Sequence, residues 1–308
     1  MTLRESTSWS RDGITFGDTN ARASMRAHAF GPLEVLVPVI GQGTWQMHDR
    51  GAGAARATAA LRLGIELGMT HIDTAEMYGD GRAEEIVADA IEAIPRERLF
   101  IVSKVLPQNA TYRGTLRACE QSLRRLRSDY LDVYLLHWPS SHPIAETMRA
   151  MEELVDAGKI RALGVSNFDV DEMEGARQAL RRHPLACNQV LYHLRERAVE
   201  HAVLPYCREH RIAHVAYSPL GQGDFPNARS AQGQVLERVA GRLGATARQV
   251  ALAFLTRLDG MFAIPKAEAP EHVRENAGAG DVRLAATDVA EIDKVFPLPR
   301  ADRPLPMN

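Results

Sequence analysis

The 308-residue sequence has few cysteines, a formal net charge near zero and no long hydrophobic run. Its three cysteines (Cys119, Cys187 and Cys207) are odd in number and lack metal-ligand spacing, which favours a reduced cytoplasmic chain over a disulfide-linked secreted one. No apolar stretch approaches the roughly 20 residues of a membrane-spanning helix, so no membrane partner is expected. The net charge of −2 gives no electrostatic reason to expect a nucleic-acid partner.

The N-terminal segment also lacks the apolar core of a signal peptide. It is rich in Ser, Thr, Arg and Asp and shows neither helical nor strand periodicity. We therefore expect residues 1–25 to form a flexible extension. Residues 26–308 are expected to form a single domain, because no Pro-, Gly- or Ser-rich linker divides them.

Beyond this segment, short apolar runs alternate with amphipathic helical patterns. Residues 33–45 predict two short strands joined by a turn, and further strands are predicted at 69–75, 99–105, 130–138, 160–168, 186–192, 212–220 and 261–266. Helices are predicted at 54–67, 82–94, 113–127, 144–158, 170–181, 200–210, 231–258 with a break at Gly244, and 287–296. Thr287 or Asp288 is the predicted N-cap of the last helix.

Alternation of strands and helices over about 250 residues predicts a parallel sheet with crossover helices. Two architectures are compatible with it, an open doubly wound sheet and a closed eight-stranded barrel. The open sheet normally binds a dinucleotide through G-x-G-x-x-G after its first strand. Gly41 and Gly43, like Gly51 and Gly53, have the first two glycines of that pattern but not the third. The strand count therefore favours an α/β fold, a (β/α)8 TIM barrel with a short N-terminal β-hairpin.

Polar residues end most of the predicted strands. They are Asp73, Lys104, His137, Ser166 with Asn167, Gln189, Tyr217 with Ser218, and Lys266. Taken singly, His137 is compatible with a buried core histidine, Lys104 with a snorkelling side chain and Asp73 with a helix cap. Chemistry in a barrel gathers at the C-terminal ends of its strands, so their repetition favours one shared site.

The sequence resembles the aldo-keto reductases from about residue 33 to residue 300. The segments HIDTAEMYG, VSK, LLHWP, GVSNF, NQ, AYSPL and IPK occur in that family's order and spacing. NQVLYHLRERAVEH and IPKAEAPEHVRENA are most similar to bacterial members that reduce small aldehydes and dicarbonyls such as methylglyoxal. The resemblance implies a barrel that binds NADPH, or NADH, without a Rossmann domain. It also implies a small-molecule carbonyl substrate and a monomeric protein.

The resemblance implies a catalytic tetrad of Asp73, Tyr78, Lys104 and His137. Carbonyl reduction needs a hydride at the carbon and a proton for the developing alkoxide, and a phenol is a weak acid with a pKa of about 10. We expect Tyr78 to donate the proton, Lys104 to lower its pKa and Asp73 to hold the lysine. His137 is expected to orient the substrate carbonyl. Lys104 is one of only four lysines among 37 basic residues, and a compact charge suits this role better than a guanidinium.

The resemblance also implies binding positions for cofactor and substrate. The cofactor-binding positions are Gly43, Thr44, Trp45, Asp73, Ser166, Asn167, Gln189, Tyr217, Ser218, Leu220, Gly221, Gln222, Ile264, Lys266, His272 and Asn276. Among these, Ser166, Asn167 and Gln189 would bind the nicotinamide carboxamide, and Tyr217 would stack on its ring unless it is simply a buried aromatic. The substrate-binding positions are Trp45, Tyr78, His137 and Trp138, although either tryptophan is also compatible with the core.

The adenosine end departs from the family pattern. Lys266 matches the lysine that pairs with the 2′-phosphate of NADPH, but Ala267 and His272 stand where a serine and an arginine occur in well-studied members. Loss of an arginine removes a bidentate phosphate contact. The preference for NADPH over NADH is therefore left open, with Arg274 and His272 as candidates to compensate.

Two functions of other classes are compatible with parts of the sequence. A sensor that keeps the reductase fold and cofactor but turns over slowly would not need an intact tetrad. A metal-dependent barrel hydrolase would use His71 and Asp73, but no H-x-H partner and no C-x-x-C pair accompanies them. The sequence favours the reductase over both.

Overall fold

A computed structural model describes residues 25–299 and 305–307 of the chain. The predicted flexible extension lies, except for Met25, outside the described residues. The first elements are two antiparallel strands, β1 (Ala27–Ala29) and β2 (Leu36–Pro38), joined by a short 3-10 turn at Gly31–Leu33. The N-terminal hairpin is therefore present, but it begins earlier than the predicted 33–45 segment.

Eight parallel strands form the main sheet, and each pairs with the next one along the chain. They are β3 (Gln42–Gly43), β4 (His71–Asp73), β5 (Phe100–Val105), β6 (Leu131–Leu136), β7 (Ile160–Ser166), β8 (Leu185–Leu191), β9 (Ala213–Tyr217) and β10 (Met261–Ala263). The last strand returns to the first, because the amide of Ala263 donates to Val39 O at 2.9 Å and the amide of Gly41 donates to Ala263 O at 2.8 Å. The predicted TIM barrel is confirmed.

Helices follow the strands and pack against the outside of the barrel. They are α1 (Ala52–Glu66), α2 (Arg82–Ile91), α3 (Tyr112–Leu126), α4 (Ile144–Asp156), α5 (Val170–Ala179), α6 (Val203–Glu209), α7 (Ala231–Leu243), α8 (Ala247–Leu255), α9 (Pro270–Gly278) and α10 (Ala286–Val295). In the part of the chain that the structure describes, no helix has the length and apolar character needed to cross a membrane.

The predicted helix boundaries agree with the structure to within about three residues, and two predictions need correction. Helix α9 was not predicted, although Pro270 at its start is a residue that favours the first turn of a helix. The predicted N-cap of α10 is wrong. Ala285 holds the N-cap position, and the Asp288 carboxylate accepts a hydrogen bond from the Ala285 amide at 3.0 Å. The predicted break at Gly244 is present, because its φ of 62° ends α7.

The hairpin closes one end of the barrel with aromatic side chains. Phe30, from the hairpin, is fully buried, and its ring centroid lies 4.7 Å from Phe100 and 4.9 Å from Phe262. The ring of His71 completes this floor, edge-on to Phe100 at 5.4 Å. The C-terminal ends of the strands lie at the opposite end, so the barrel is accessible there.

Candidate active site

A cavity of about 820 Å³ lies at the C-terminal ends of the barrel strands. Asp73, Ser166 and Tyr217 line it, and they are the last residues of β4, β7 and β9. Its volume is in the range of about 300–1,000 Å³ that is typical of small-molecule and cofactor sites.

Most of the positions that the resemblance implies line this one cavity. They are Gly43, Thr44, Trp45, Asp73, Tyr78, His137, Trp138, Ser166, Asn167, Gln189, Tyr217, Ser218, Leu220, Gln222, Ile264 and Lys266. Gly221 does not line it, and neither do His272, which is exposed on α9, or Asn276, which is buried. The barrel thus gathers residues that are widely separated in the sequence, and of the adenosine-end positions only Lys266 is among them.

Lys104 is the centre of a buried polar group. Its ammonium donates to Asp73 Oδ1 at 2.5 Å, to the Thr74 carbonyl oxygen at 2.9 Å and to the phenolic oxygen of Tyr78 at 3.1 Å. Gln189 donates from Nε2 to the second oxygen of Asp73 at 2.7 Å. Lys104 is completely buried, which excludes the snorkelling surface lysine that its sequence position also allowed.

The protonation states of this group follow from burial and from the close charges. Burial raises the pKa of Asp73, and the Lys104 ammonium and Gln189 oppose that shift. Burial also acts to lower the pKa of Lys104, but Asp73 and Tyr78 outweigh it and raise the pKa. The lysine is therefore protonated at neutral pH and able to stabilise negative charge on either neighbour.

The pKa of Tyr78 was expected to be lowered, and this expectation is wrong, because the pKa is raised overall. Burial raises the pKa of Tyr78 more than the Lys104 ammonium lowers it, and the Asp73 carboxylate adds to the rise. Tyr78 is consequently a neutral phenol at physiological pH, which keeps the proton that a general acid must donate. The contribution of Lys104 has the expected direction, because its ammonium acts to lower the pKa of Tyr78.

His137 faces Tyr78 across the cavity, with ring centroids 5.7 Å apart. Burial, together with the nearby Lys104 charge, lowers the pKa of His137 well below its ordinary value, so its imidazole is neutral at physiological pH. Its Nδ1 has no hydrogen-bond partner among the described residues. His137 is therefore not a core histidine whose polar atoms are all hydrogen-bonded.

Trp45 and Trp138 border the tetrad. Trp45 is 41% exposed, and its ring lies edge-on to Tyr78 with a centroid distance of 5.1 Å. Trp138 is partly buried and lies 4.9 Å from the ring of His137. Both line the cavity and neither is a fully buried core residue.

A second polar group lies beside the tetrad at the ends of β7 and β9. Asn167 donates from Nδ2 to the His137 carbonyl oxygen and to Ser166 Oγ, both at 3.1 Å, and it accepts from the hydroxyl of Tyr217 at 2.9 Å. Its backbone has a φ of 61°, a left-handed conformation that asparagine tolerates better than most residues. Asn167 thus fixes the positions of three cavity-lining residues.

Lys266, the residue expected to pair with a 2′-phosphate, already has a partner within the protein. The ammonium of Lys266 is ion-paired with Glu268 at 2.7 Å. Arg248, at the start of α8, also lines the cavity, as do Phe225 and Met307. These three residues were not identified from the sequence, because each lies on a loop, a helix or the C-terminal segment rather than at a strand end.

His71 and Asp73, which together resemble part of a metal-binding motif, lie in separate surroundings. The His71 ring is enclosed by Phe30, Phe100 and Phe262, with neither nitrogen bonded to a described residue. Asp73 is instead held by Lys104 and Gln189. The two side chains therefore do not bind a common ion in this arrangement.

Comparison with known proteins places this geometry in a known context. The family model described as the aldo/keto reductase family matches residues 39–296. Methylglyoxal reductase YeaE of Escherichia coli is 44% identical over 274 residues, which cover 89% of this chain and 96% of that protein. Glyoxal reductase of Bacillus subtilis is 36% identical over 261 residues, covering 84% of this chain and 89% of that protein.

Solved structures give the same result. The crystal structure of an aldo-keto reductase from Klebsiella pneumoniae in complex with NADPH superposes with a TM-score of 0.85 at 44% sequence identity, covering 92% of this chain and 99% of that one. A thermostable aldo-keto reductase, Tm1743, in complex with the inhibitor epalrestat superposes with a TM-score of 0.83 at 38% identity, covering 88% of this chain and all of that one, 100%.

Proposed function

The chain belongs to the aldo/keto reductase family, and from that premise we propose that it is an NADPH-dependent reductase of small aldehydes and dicarbonyls such as methylglyoxal. The observation that carries the proposal is the buried hydrogen-bonded chain of Asp73, Lys104 and Tyr78. Tyr78 lines the cavity of about 820 Å³. Two relatives with similar sequences are methylglyoxal and glyoxal reductases, and a structural relative binds NADPH.

The residues that line the cavity fit a nicotinamide dinucleotide. Lys266 supplies a cationic side chain for a phosphate group. Near the tetrad, Ser166 and Gln189 supply polar atoms for a carboxamide, and the half-buried ring of Tyr217 supplies a flat apolar surface. When bound, the reduced nicotinamide supplies the hydride that adds to the carbonyl carbon.

Tyr78 is proposed to donate the proton that completes the reduction. Its hydroxyl reaches the cavity and its pKa is raised, so the proton is present over the whole physiological range. As the substrate oxygen gains negative charge, the phenol gives up this proton and becomes a phenolate. The ammonium of Lys104, 3.1 Å from the phenolic oxygen, stabilises that phenolate until solvent reprotonates it.

Asp73 and Gln189 position the lysine for this step. The carboxylate accepts from both side chains, one at each oxygen, so its orientation is fixed. A lysine with this partner keeps both its charge and its direction toward Tyr78. Asp73 therefore acts through Lys104 rather than on the substrate.

His137 is proposed to bind the substrate carbonyl oxygen. A neutral imidazole carries one N–H, and a proton on Nε2 leaves the partnerless Nδ1 as an acceptor rather than as an orphaned donor. The Nε2–H then donates to the carbonyl. Because Trp45 and Trp138 flank Tyr78 and His137, they are proposed to form the apolar walls around a small substrate.

A steady-state assay of the purified full chain tests the proposal. Consumption of NADPH and of NADH is followed by absorbance with methylglyoxal, glyoxal and an aromatic aldehyde, and the alcohol product is identified chemically. Turnover of methylglyoxal with NADPH is the expected result. Tight NADPH binding without turnover of any of these carbonyls would contradict the proposal and favour a cofactor-binding sensor.

Monomeric state, cytoplasmic location and a single domain over residues 26–308 remain predictions from the sequence. Size-exclusion chromatography with light scattering tests the first of them.

A further inference from the structure

Arg248 lines the same cavity as Lys266, and the sequence pattern assigned it no role. It is the second residue of α8, and its side chain is exposed. The guanidinium carbon lies 5.2 Å from the ring centroid of Phe225, which also lines the cavity. A guanidinium therefore borders the cavity that Lys266 also lines, and it has no role in the tetrad.

The first turn of α8 is held firmly against α9. Thr246 caps α8 by accepting from the Gln249 amide at 3.2 Å, and its hydroxyl donates to Glu275 at 2.7 Å. Gln249 in turn donates from Nε2 to the Glu275 carbonyl oxygen at 2.9 Å. Arg248 is thus presented from a fixed helical turn, so little backbone ordering is needed when it binds a ligand.

Its charge is also unopposed. Within the described ranges, no carboxylate forms an ion pair with Arg248, whereas Lys266 is paired with Glu268 at 2.7 Å. His272, which stands where an arginine was expected, is exposed on α9 and does not line the cavity. Among the described residues, Arg248 is therefore the cavity-lining cation whose charge is not already balanced by an ion pair.

We propose that Arg248 is a phosphate-binding residue of the dinucleotide site. The proposal rests on the proposed function, because the phosphate belongs to the cofactor. A guanidinium binds phosphate oxygens in a bidentate manner, and the partial positive charge of the α8 N-terminus adds to the attraction. The bound group is either the 2′-phosphate, which only NADPH carries, or the pyrophosphate, which NADPH and NADH share.

The test is direct binding, measured by fluorescence titration of the full chain with NADPH and with NADH at two ionic strengths. Arg248→Met removes the charge and keeps an apolar side chain against Phe225. Arg208→Met is the matched control, because Arg208 is exposed on α6 and does not line the cavity. Arg248→Lys tests whether charge alone is sufficient, and thermal denaturation of each variant checks that the fold is retained.

We expect Arg248→Met to raise the Kd for NADPH about tenfold, the usual consequence of losing one charge-assisted hydrogen bond. A loss confined to NADPH assigns Arg248 to the 2′-phosphate, and an equal loss for both dinucleotides assigns it to the pyrophosphate. Affinities no weaker than those of Arg208→Met would overturn the proposal while leaving the proposed reductase activity untouched. A wild-type chain that bound neither dinucleotide would overturn both.

Discussion

The ammonium of Lys104 lies 2.5 Å from Asp73 Oδ1, and neither side chain is more than 1% exposed. An ion pair at this depth has lost its hydration, so its two charges depend on each other and on the hydrogen bonds around them. The pair places a fixed cation beside Tyr78, and the stability of the barrel interior depends on both partners being present.

Replacing the lysine should therefore cost stability as well as activity. In Lys104→Met the Asp73 carboxylate keeps only Gln189 as a side-chain partner, and we expect the free energy of unfolding to fall by about 3–5 kcal/mol. Urea denaturation at neutral pH measures the change. The control is Lys159→Met, which should cost less than about 1 kcal/mol, because the Lys159 side chain is 40% exposed and its ammonium lies 3.8 Å from Glu120. Equal losses in the two variants would show that the buried pair is not critical.

Tyr78→Phe should separate chemistry from binding. The variant lacks only the hydroxyl, so the cavity shape and dinucleotide affinity are retained while turnover of methylglyoxal falls by about a hundredfold to ten-thousandfold. Steady-state rates and a fluorescence titration with NADPH measure the two properties. Tyr112→Phe removes the hydroxyl of a tyrosine on α3 that does not line the cavity, and it should leave both unchanged. Undiminished turnover in Tyr78→Phe would reject this residue as the proton donor.

Lys266 and Glu268 should have opposite effects on cofactor choice. Lys266→Ala is expected to weaken NADPH binding about tenfold more than NADH binding, because it removes a cation that would contact the 2′-phosphate. Glu268→Gln removes the competing carboxylate and should tighten NADPH binding. Kd values for both dinucleotides test this, with Lys294→Ala on α10 as the control. Equal losses for NADPH and NADH in Lys266→Ala would place the 2′-phosphate elsewhere.

His71 should make the barrel sensitive to acid. Burial and the Lys104 charge lower its pKa from 6.5 to about 3, so the fold binds the neutral ring. The stabilisation is complete above pH 6.5 and is lost as the pH falls from 6.5 toward 3. Between pH 7.5 and 5 this one group should reduce the free energy of unfolding by about 2 kcal/mol.

Replacement of His71 by leucine should remove this contribution, because leucine does not titrate and is similar in size. Urea denaturation at the two pH values measures the slope, and replacement of the exposed His48 by leucine is the control. An unchanged slope in His71→Leu would show that other groups, such as the buried His214, dominate acid unfolding.

The barrel was predictable because its signals are local. Each parallel strand is a short apolar run, and each helix has one apolar face, so alternation along the sequence specifies the architecture. The hairpin was misplaced because β1 and β2 are only three residues each and are stabilised by Phe30 packing inside the barrel, a long-range contact. The N-cap of α10 was misassigned because Asp288 bonds back to Ala285 from within the first turn.

The site was predictable only in part. Residues at strand ends, such as Asp73 and His137, converge because parallel strands place their C-terminal ends together. Arg248 and Met307 reach the same cavity from a helix and from the C-terminal segment, which no periodicity indicates. The pKa of Tyr78 was predicted with the wrong sign because its value depends on how much burial opposes Lys104, and burial cannot be measured from a sequence.

The aromatic floor that the hairpin builds under the barrel has a kinetic consequence. Because Phe30 closes that end, substrate and cofactor must both enter at the C-terminal ends of the strands. Two ligands that share one opening cannot pass each other freely, so the ligand that lies deeper in the cavity binds first and is released last. The sealed floor therefore predicts an ordered sequence of binding and release.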